Sequence, residues 1–160
     1  MSRRWRASLI VVCASAGIGC AASPSGSPIV LDGPPPDLVA SAQRLYEQYG
    51  SALAAGRRGA IANFYHYQGA LVVFNGAARR QSREELRQRY LTSWSPPAHF
   101  AWEALTFDSL STTQVLVTGG FRWQASGQAD TSRYIYAALV VAIDSGMAIV
   151  FEHETLHPPR

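Results

Sequence analysis

The stretch DTSRYIYAALVVAIDSGMAIVFEHETL, residues 130–156, holds two long runs of β-branched, aromatic and small apolar residues on either side of Ser145-Gly146. Such runs around a Ser-Gly turn predict a β-hairpin. The same period of two extends upstream, and four long strands are predicted, at 99–108, 113–124, 130–144 and 147–156. Gly119-Gly120 in mid-strand predicts a bulge that bends the sheet.

The residues before this sheet follow a helical period instead. Asp37 can cap a first helix that ends at Gly56, and a short helical turn over 60–65 precedes a short strand at 71–74. Ser82 and Glu85 form a predicted capping box that opens a further helix. Helices followed by long antiparallel strands predict an α+β fold, with the N-terminal helices packed on one face of a strongly curved sheet.

This order of elements resembles the nuclear transport factor 2-like superfamily, specifically its SnoaL-like bacterial branch. The resemblance covers about residues 37–156, including VTGGFR at 117–122 and the final hairpin DSGMAIVFEH at 144–153. That hairpin is similar to the family ending G-W-x-I-x-x-x-H, with Met147 in the Trp place. The resemblance implies a cone-like fold whose open end is a ligand pocket, and dimers formed through the outer sheet face.

The N-terminus has the pattern of an export signal. A basic start and an apolar run ending at Gly19 predict a signal peptide over 1–19, and Gly19-Cys20 resembles a lipoprotein cleavage site. We expect lipidation at Cys20, a Ser/Gly/Pro-rich tether over 20–36 and one domain over 37–160. The expected location is the bacterial cell envelope, with contact to the membrane only through the N-terminal lipid. A cut after Ala16 would instead give a soluble periplasmic or secreted protein.

Charge and cysteine content narrow the function classes. Three of the 14 basic residues lie in the predicted signal, which leaves 11 Arg against 11 Asp and Glu. A neutral domain without a basic stripe argues against nucleic-acid binding. The two cysteines, Cys13 and Cys20, leave no disulfide for the folded domain.

His153-Glu154-Thr155-Leu156-His157 matches H-E-x-x-H, the zinc signature of a class of peptidases. That motif works on a helix, where positions i and i+4 share one face. Here it continues a predicted strand, in which residues four apart lie about 13 Å from each other. We therefore predict no metal site, and no cofactor is implied by any other motif.

If the last strand alternates regularly, His153 faces the same side as Tyr134 and Tyr136. A histidine with tyrosines in an apolar cone can transfer protons or orient a substrate, although a hydrogen-bonded structural histidine is the simpler interpretation. The catalytic candidates are thus His153, Tyr136 and Tyr134, and Glu152 and Glu154 are expected at a solvated or interface edge. The predicted pocket residues are Phe64, Tyr65, Tyr90, Trp102, Glu103 and Phe151.

Three functions remain open from the sequence. The first is an exported domain that binds a small apolar or aromatic molecule, without an evident catalytic set. The second is an acid–base cyclase, dehydratase or isomerase that uses His153 with Tyr134 or Tyr136. The third is an interaction module: the strand over 135–143 is apolar on both faces, which favours a homodimer, and Arg122 with Arg133 is expected near that surface. Whether the protein is an enzyme stays open.

Overall fold

The structure, a computed structural model, describes residues 36–157. The predicted signal peptide, Cys20 and nearly all of the tether lie outside these residues. The elements in chain order are α1 (Pro36–Ala54), α2 (Arg58–Ile61), a 3-10 turn (Ala62–Phe64), β1 (Ala70–Phe74), β2 (Ala77–Gln81), α3 (Arg83–Thr92), β3 (Pro97–Ser109), β4 (Gln114–Ala125), β5 (Ser132–Ile143) and β6 (Gly146–Leu156).

The six strands form one sheet in the order β2-β1-β6-β5-β4-β3. Strands β1 and β6 run parallel, and every other neighbouring pair is antiparallel. The helices pack on the concave face, so the predicted α+β fold with a curved, mainly antiparallel sheet is confirmed. No helix within residues 36–157 is both long and apolar enough to cross a membrane.

The start of helix α3 and the strand at 71–74 were predicted from the sequence, and strand β2 between them was not. The capping box is confirmed: the Glu85 N–H donates to Ser82 Oγ at 3.2 Å, and the Ser82 N–H donates to the Glu85 carboxylate at 2.7 Å. Strand β2 was not predicted, because Ala77–Gln81 is mostly exposed and lacks apolar alternation. It follows a tight turn at Asn75 and Gly76, whose φ values are 46° and 83°.

Besides an irregularity at Ala98 near the start of β3, two bulges interrupt the ladders in the middle of the sheet. Between the pairs Glu103–Gly120 and Thr106–Thr118, strand β3 has one residue more than β4, so the bulge predicted at Gly119-Gly120 is confirmed. Gly119 has φ 150°, and a Cβ there would lie 2.8 Å from the carbonyl oxygen of Ala104. The second bulge was not predicted: Val140 pairs with Ile149 but Leu139 pairs with Phe151, which leaves Val150 as an extra residue in β6.

The core lies between α1 and the concave face of the sheet, and it is unusually rich in tyrosine. Tyr46, Tyr49, Tyr65 and Tyr136 are each at most 2% exposed. Trp102 of β3 packs directly on α1, where a Cβ at Gly50 would lie 2.5 Å from the indole nitrogen. The indole N–H of Trp102 donates to the Tyr46 carbonyl oxygen at 3.3 Å. Close contact between helix and sheet therefore depends on a glycine in α1.

The HETLH segment is a strand rather than a helix, as predicted. His153 to Leu156 belong to β6, and the next residue, His157, follows the end of that strand. The helical geometry that brings two histidines onto one metal is therefore lacking at this motif.

Candidate functional site

A pocket of about 380 Å³ opens between α1, α3 and the concave face of the sheet. This volume falls within the range of small-molecule sites, and the wall is mainly aromatic. Every tryptophan within residues 36–157 lines it. The lining residues are Tyr49, Leu53, Phe74, Arg89, Tyr90, Ser93, Trp94, Phe100, Trp102, Phe121, Trp123, Tyr134 and Glu154.

The aromatic wall is ordered by ring-to-ring packing. Phe121 and Tyr134 occupy directly paired positions of β4 and β5 and stack with ring centroids 4.7 Å apart and planes 7° apart. Trp94 of the segment after α3 meets Trp123 of β4 edge to face at 5.9 Å. Such pairs add stabilisation beyond burial, so the wall is held in shape without a ligand.

A buried polar cluster adjoins the pocket and is centred on Glu152, which is 1% exposed. Its Oε1 accepts a hydrogen bond from the Tyr65 hydroxyl at 2.9 Å, and its Oε2 accepts from Tyr49 and Tyr136 at 3.1 Å each. The Tyr46 hydroxyl lies 2.9 Å from that of Tyr136. We name Glu152 with these four tyrosines the Glu152 cluster.

The hydrogen bonds of this cluster extend to the pocket wall through helix α3. Arg89 donates to the Tyr90 hydroxyl at 3.0 Å, and the hydroxyls of Tyr90 and Tyr65 lie 3.0 Å apart. Because Tyr65 donates to Glu152, the Tyr90 hydroxyl donates to Tyr65. Each donor in this chain therefore points toward Glu152, the arrangement that an ionised carboxylate favours.

The pKa values of the cluster follow from its burial. Burial raises the pKa of Glu152, while the hydroxyl of Tyr65 and the charge of Arg89 oppose that rise. Burial and the charge of Glu152 together hold the pKa of Tyr49 and Tyr65 well above the ordinary value. Burial likewise raises the pKa of Tyr90 to about 12. The phenols are thus neutral donors at physiological pH.

Glu154, two residues further along β6, lines the pocket itself. Burial, followed by the nearby charge of Glu152, raises the pKa of Glu154 to about 8, although Arg89 acts in the opposite direction. Within residues 36–157 no side chain hydrogen-bonds its carboxyl group, whereas Glu152 accepts three phenols. The three phenol donors favour the ionised form of Glu152, and the lack of such donors at Glu154 favours its protonated form.

The predicted position of His153 is wrong. Its register partner is Ala137, not Ala138, and its ring lies on the outer sheet face, where Nε2 is 3.0 Å from Thr155 Oγ1. Regular alternation fails because Val150 is an extra residue, which moves every later residue of β6 to the opposite face. Glu152 and Glu154, expected at a solvated edge, therefore face inward with Tyr134 and Tyr136. The structure does not bring His153 and the two tyrosines together.

The other predicted catalytic and pocket residues occupy four different positions relative to the pocket. Tyr90, Trp102 and Tyr134 line the pocket, and Tyr65 and Tyr136 are buried in the Glu152 cluster beside it. Phe64 packs against Tyr49 with ring centroids 5.3 Å apart and lines a separate surface depression. Phe151 pairs with Leu139 on the outer face, so its prediction as a pocket residue is wrong.

Glu103 was also predicted at the pocket and instead lies on the outer face. Its carboxylate accepts hydrogen bonds from Arg122 and, at 2.9 Å, from Arg133. Partial burial raises the pKa of Glu103, but the bonds from Arg133 and Arg122 outweigh that effect and hold it below the ordinary value. The two arginines are therefore occupied by a carboxylate of the same chain.

Sequence reasoning missed the residues that give the pocket its charge. Arg89 precedes the predicted pocket residue Tyr90 but carried no motif, and Glu154 was assigned to the wrong face. A signal was present in β6, where two carboxylates at positions i and i+2 share one face. It could be interpreted only after the bulge at Val150 was known.

The protein has the nuclear transport factor 2-like fold, an α+β cone, and its aromatic pocket lies on the concave side of the sheet. No protein-family model and no curated protein matches the sequence. Solved structures do. The chain is similar to a nuclear transport factor 2-like protein of unknown function from Shewanella oneidensis, at 19% identity and a TM-score of 0.64 over 72% of this chain and 97% of that one.

Two further structures carry activity-related names. A ketosteroid isomerase-like protein from Erwinia carotovora atroseptica matches at 16% identity and a TM-score of 0.64, over 78% of this chain and 99% of that one. A proposed scytalone dehydratase from Novosphingobium aromaticivorans matches at 12% identity and a TM-score of 0.58, over 74% and 83%. At these identities the likeness establishes the fold alone, and function must be argued from the pocket.

Proposed function

We propose that the protein binds one small apolar or aromatic molecule in the cone pocket. The observation that carries the proposal is a preformed space of about 380 Å³ with a mainly aromatic wall. An aromatic ring can stack on the indoles of Trp94 and Trp123 in this space. The proposal retains the first of the three functions that the sequence left open.

The test uses N-phenyl-1-naphthylamine, an uncharged fluorescent aromatic probe, with the purified protein. Because Trp94, Trp102 and Trp123 all line the pocket, a bound probe quenches tryptophan emission and also raises the melting temperature by mass action. Trp123→Ala removes one stacking wall, and we expect binding to weaken by about threefold to tenfold. Tyr67→Ala, at a side chain 66% exposed and outside the pocket lining, is the matched control. Absence of binding to the wild type, or equal binding to Trp123→Ala, would contradict the proposal.

A second candidate function is acid–base catalysis, and one observation favours it: the carboxyl group of Glu154 borders the pocket with a pKa of about 8. A group that titrates near the working pH can take and return a proton. This candidate replaces the earlier pairing of His153 with Tyr134 or Tyr136, since His153 lies on the other face.

Proton abstraction can be tested without the natural substrate. In deuterated buffer, the exchange of the α-protons of 2-tetralone is followed by NMR with and without protein. We expect catalysed exchange that rises with pH as Glu154 ionises near pH 8 and that is lost in Glu154→Gln. Exchange that persists in Glu154→Gln would remove this residue from the chemistry.

We also propose export to the cell envelope with a lipid on Cys20, on the support of the sequence pattern at residues 1–20. Expression in a bacterium with a labelled fatty acid should label the wild type and Cys13→Ser but not Cys20→Ser. Label retained in Cys20→Ser would refute the lipid site, and an unlabelled soluble wild type would favour the earlier cut after Ala16.

A homodimer formed through the outer sheet face is our remaining proposal. Ile135, on the outer face of β5, is 50% exposed and pairs with Gly120 of β4 and Thr155 of β6. An exposed branched apolar residue in mid-sheet suits a buried contact with a second copy. Sedimentation should give a dimer for the wild type and a monomer for Ile135→Arg, while Leu110→Arg, at a loop residue 48% exposed, should remain dimeric.

A further inference from the structure

Arg89 and Glu154 contribute a guanidinium and a carboxyl group to a pocket wall that otherwise consists mainly of aromatic rings. Arg89 donates to two neutral acceptors, the Tyr90 hydroxyl at 3.0 Å and Gln81 Oε1 at 3.4 Å. No carboxylate within residues 36–157 forms an ion pair with it. A guanidinium has five N–H donors, so donors remain for a bidentate acceptor.

The groups around Glu154 leave this carboxyl as a hydrogen-bond donor at neutral pH. Those that interact with it electrostatically are Glu152 on its own strand, Arg89 and Tyr90 on α3, Tyr46 on α1 and Tyr134 on β5. The three phenols that donate to Glu152 favour its ionised form. An incoming anion would hold the proton on Glu154 more firmly still, since like charges disfavour ionisation.

We propose that the ligand is an aromatic carboxylate, with its ring among Trp94, Trp102 and Trp123 and its carboxylate hydrogen-bonded to Arg89 and to the carboxyl group of Glu154. The inference rests on the proposed ligand-binding function and specifies the chemistry of the ligand's polar end. Arg89 has no ion-pair partner among the described residues and Glu154 can donate a hydrogen bond, so together they suit a ligand with a single negative charge. An ammonium group would face the repulsion of Arg89 and would have to displace the proton of Glu154.

Three probes of one shape separate the possibilities: 2-naphthoate, 2-naphthamide and 2-naphthylmethylammonium. Binding is measured by quenching of tryptophan emission and by melting temperature at pH 6 to 9.5. We expect 2-naphthoate to bind at least about tenfold more tightly than the amide, and the ammonium to bind most weakly. The affinity for 2-naphthoate should fall above pH 8, by up to about tenfold per pH unit, as Glu154 loses its proton.

Variants assign the effect to the two residues. Arg89→Gln should lose about tenfold or more in affinity for 2-naphthoate and little for the amide, whereas Arg89→Lys should retain a weaker preference for the anion. Glu154→Gln keeps a hydrogen-bond donor, so the affinity should persist while its fall above pH 8 disappears. Arg87→Gln is the matched control, because Arg87 lies on the same helix but bonds Asn63 at 3.1 Å, away from the pocket lining.

The outcomes separate the preference for a carboxylate from the proposed binding of small molecules in the pocket. If the amide or the ammonium binds as tightly as 2-naphthoate, or if Arg89→Gln and Arg89→Lys leave the preference unchanged, the inference is wrong and pocket binding stands. If none of the three probes binds the wild type, the proposed pocket function is wrong as well.

Discussion

Replacing Glu152 by Gln is expected to lower the pKa of Glu154 from about 8. The two carboxyl groups are positions i and i+2 of β6, on the concave face. Burial is the first cause of the raised pKa of Glu154, and the charge of Glu152 is the second. The substitution removes the second cause and leaves the first, so the size of the change measures the coupling within the pair.

The expected magnitude follows from the spacing of the strand. Residues two apart lie about 6.6 Å from each other. At an effective dielectric constant of about 20, two unit charges at that distance repel by about 2.5 kcal/mol, which corresponds to a pKa change of about 2. The pKa of Glu154 in Glu152→Gln should therefore be about 6.

The assay is NMR titration of the side-chain carboxyl carbons in ¹³C-labelled protein. Glu103→Gln is the matched control, because Glu103 lies on the outer face with Arg122 and Arg133 and should leave the titration of Glu154 unchanged. Near-UV circular dichroism checks that the aromatic core survives in each variant. A Glu154 pKa that stays near 8 in Glu152→Gln would show that Glu152 carries no charge, and the direction assigned to the phenol donors would be wrong.

Three further variants test other parts of the structure. Glu154→Gln should unfold in urea like the wild type at pH 5 but be more stable by up to about 4 kcal/mol at pH 9. The reason is that the pKa of Glu154 is higher in the folded state, so the wild type loses stability as the pH rises from 4.5 to 8. Parallel pH curves for the two proteins would contradict this. Gly119→Ala should lower the free energy of unfolding by about 2 kcal/mol or more, since the added Cβ meets the Ala104 carbonyl oxygen at 2.8 Å, and an unchanged urea midpoint would refute the constraint. Ser82→Ala should cost about 1 kcal/mol through loss of the cap, with Ser93→Ala at the other end of α3 for comparison; equal midpoints in the two would argue against the cap.

Much of the fold was predictable because its signals are local. The hairpin at 144–146, the capping box of Ser82 and the glycine pair at 119–120 each depend on a few neighbouring residues. The bulge opposite Gly119 was predictable since glycine in mid-strand has few other uses. Strand β2 was not predicted, because an exposed edge strand next to a tight turn needs no apolar alternation.

The site was less predictable, because it depends on one residue whose effect is not local. Val150 is a good strand former and looks like any other member of its run. Its partner strand simply has one residue fewer, and that difference reverses the face of Glu152, His153 and Glu154. The prediction from alternation therefore identified the strand and the inward-facing Tyr134 and Tyr136, but it placed His153 beside them where the structure has Glu152 and Glu154.

The two inward carboxylates differ in what the protein gains from them. Glu152 accepts hydrogen bonds from three buried phenols, so a structural role accounts for it. Glu154 has no comparable partner: no hydrogen bond to its carboxyl group is found within residues 36–157, and its raised pKa destabilises the folded state above neutral pH. Glutamine at this position is expected to fold at least as well. The proposed ligand site would give Glu154 a role that the fold does not, and the charge preference of a bound ligand is the measurement that tests this role.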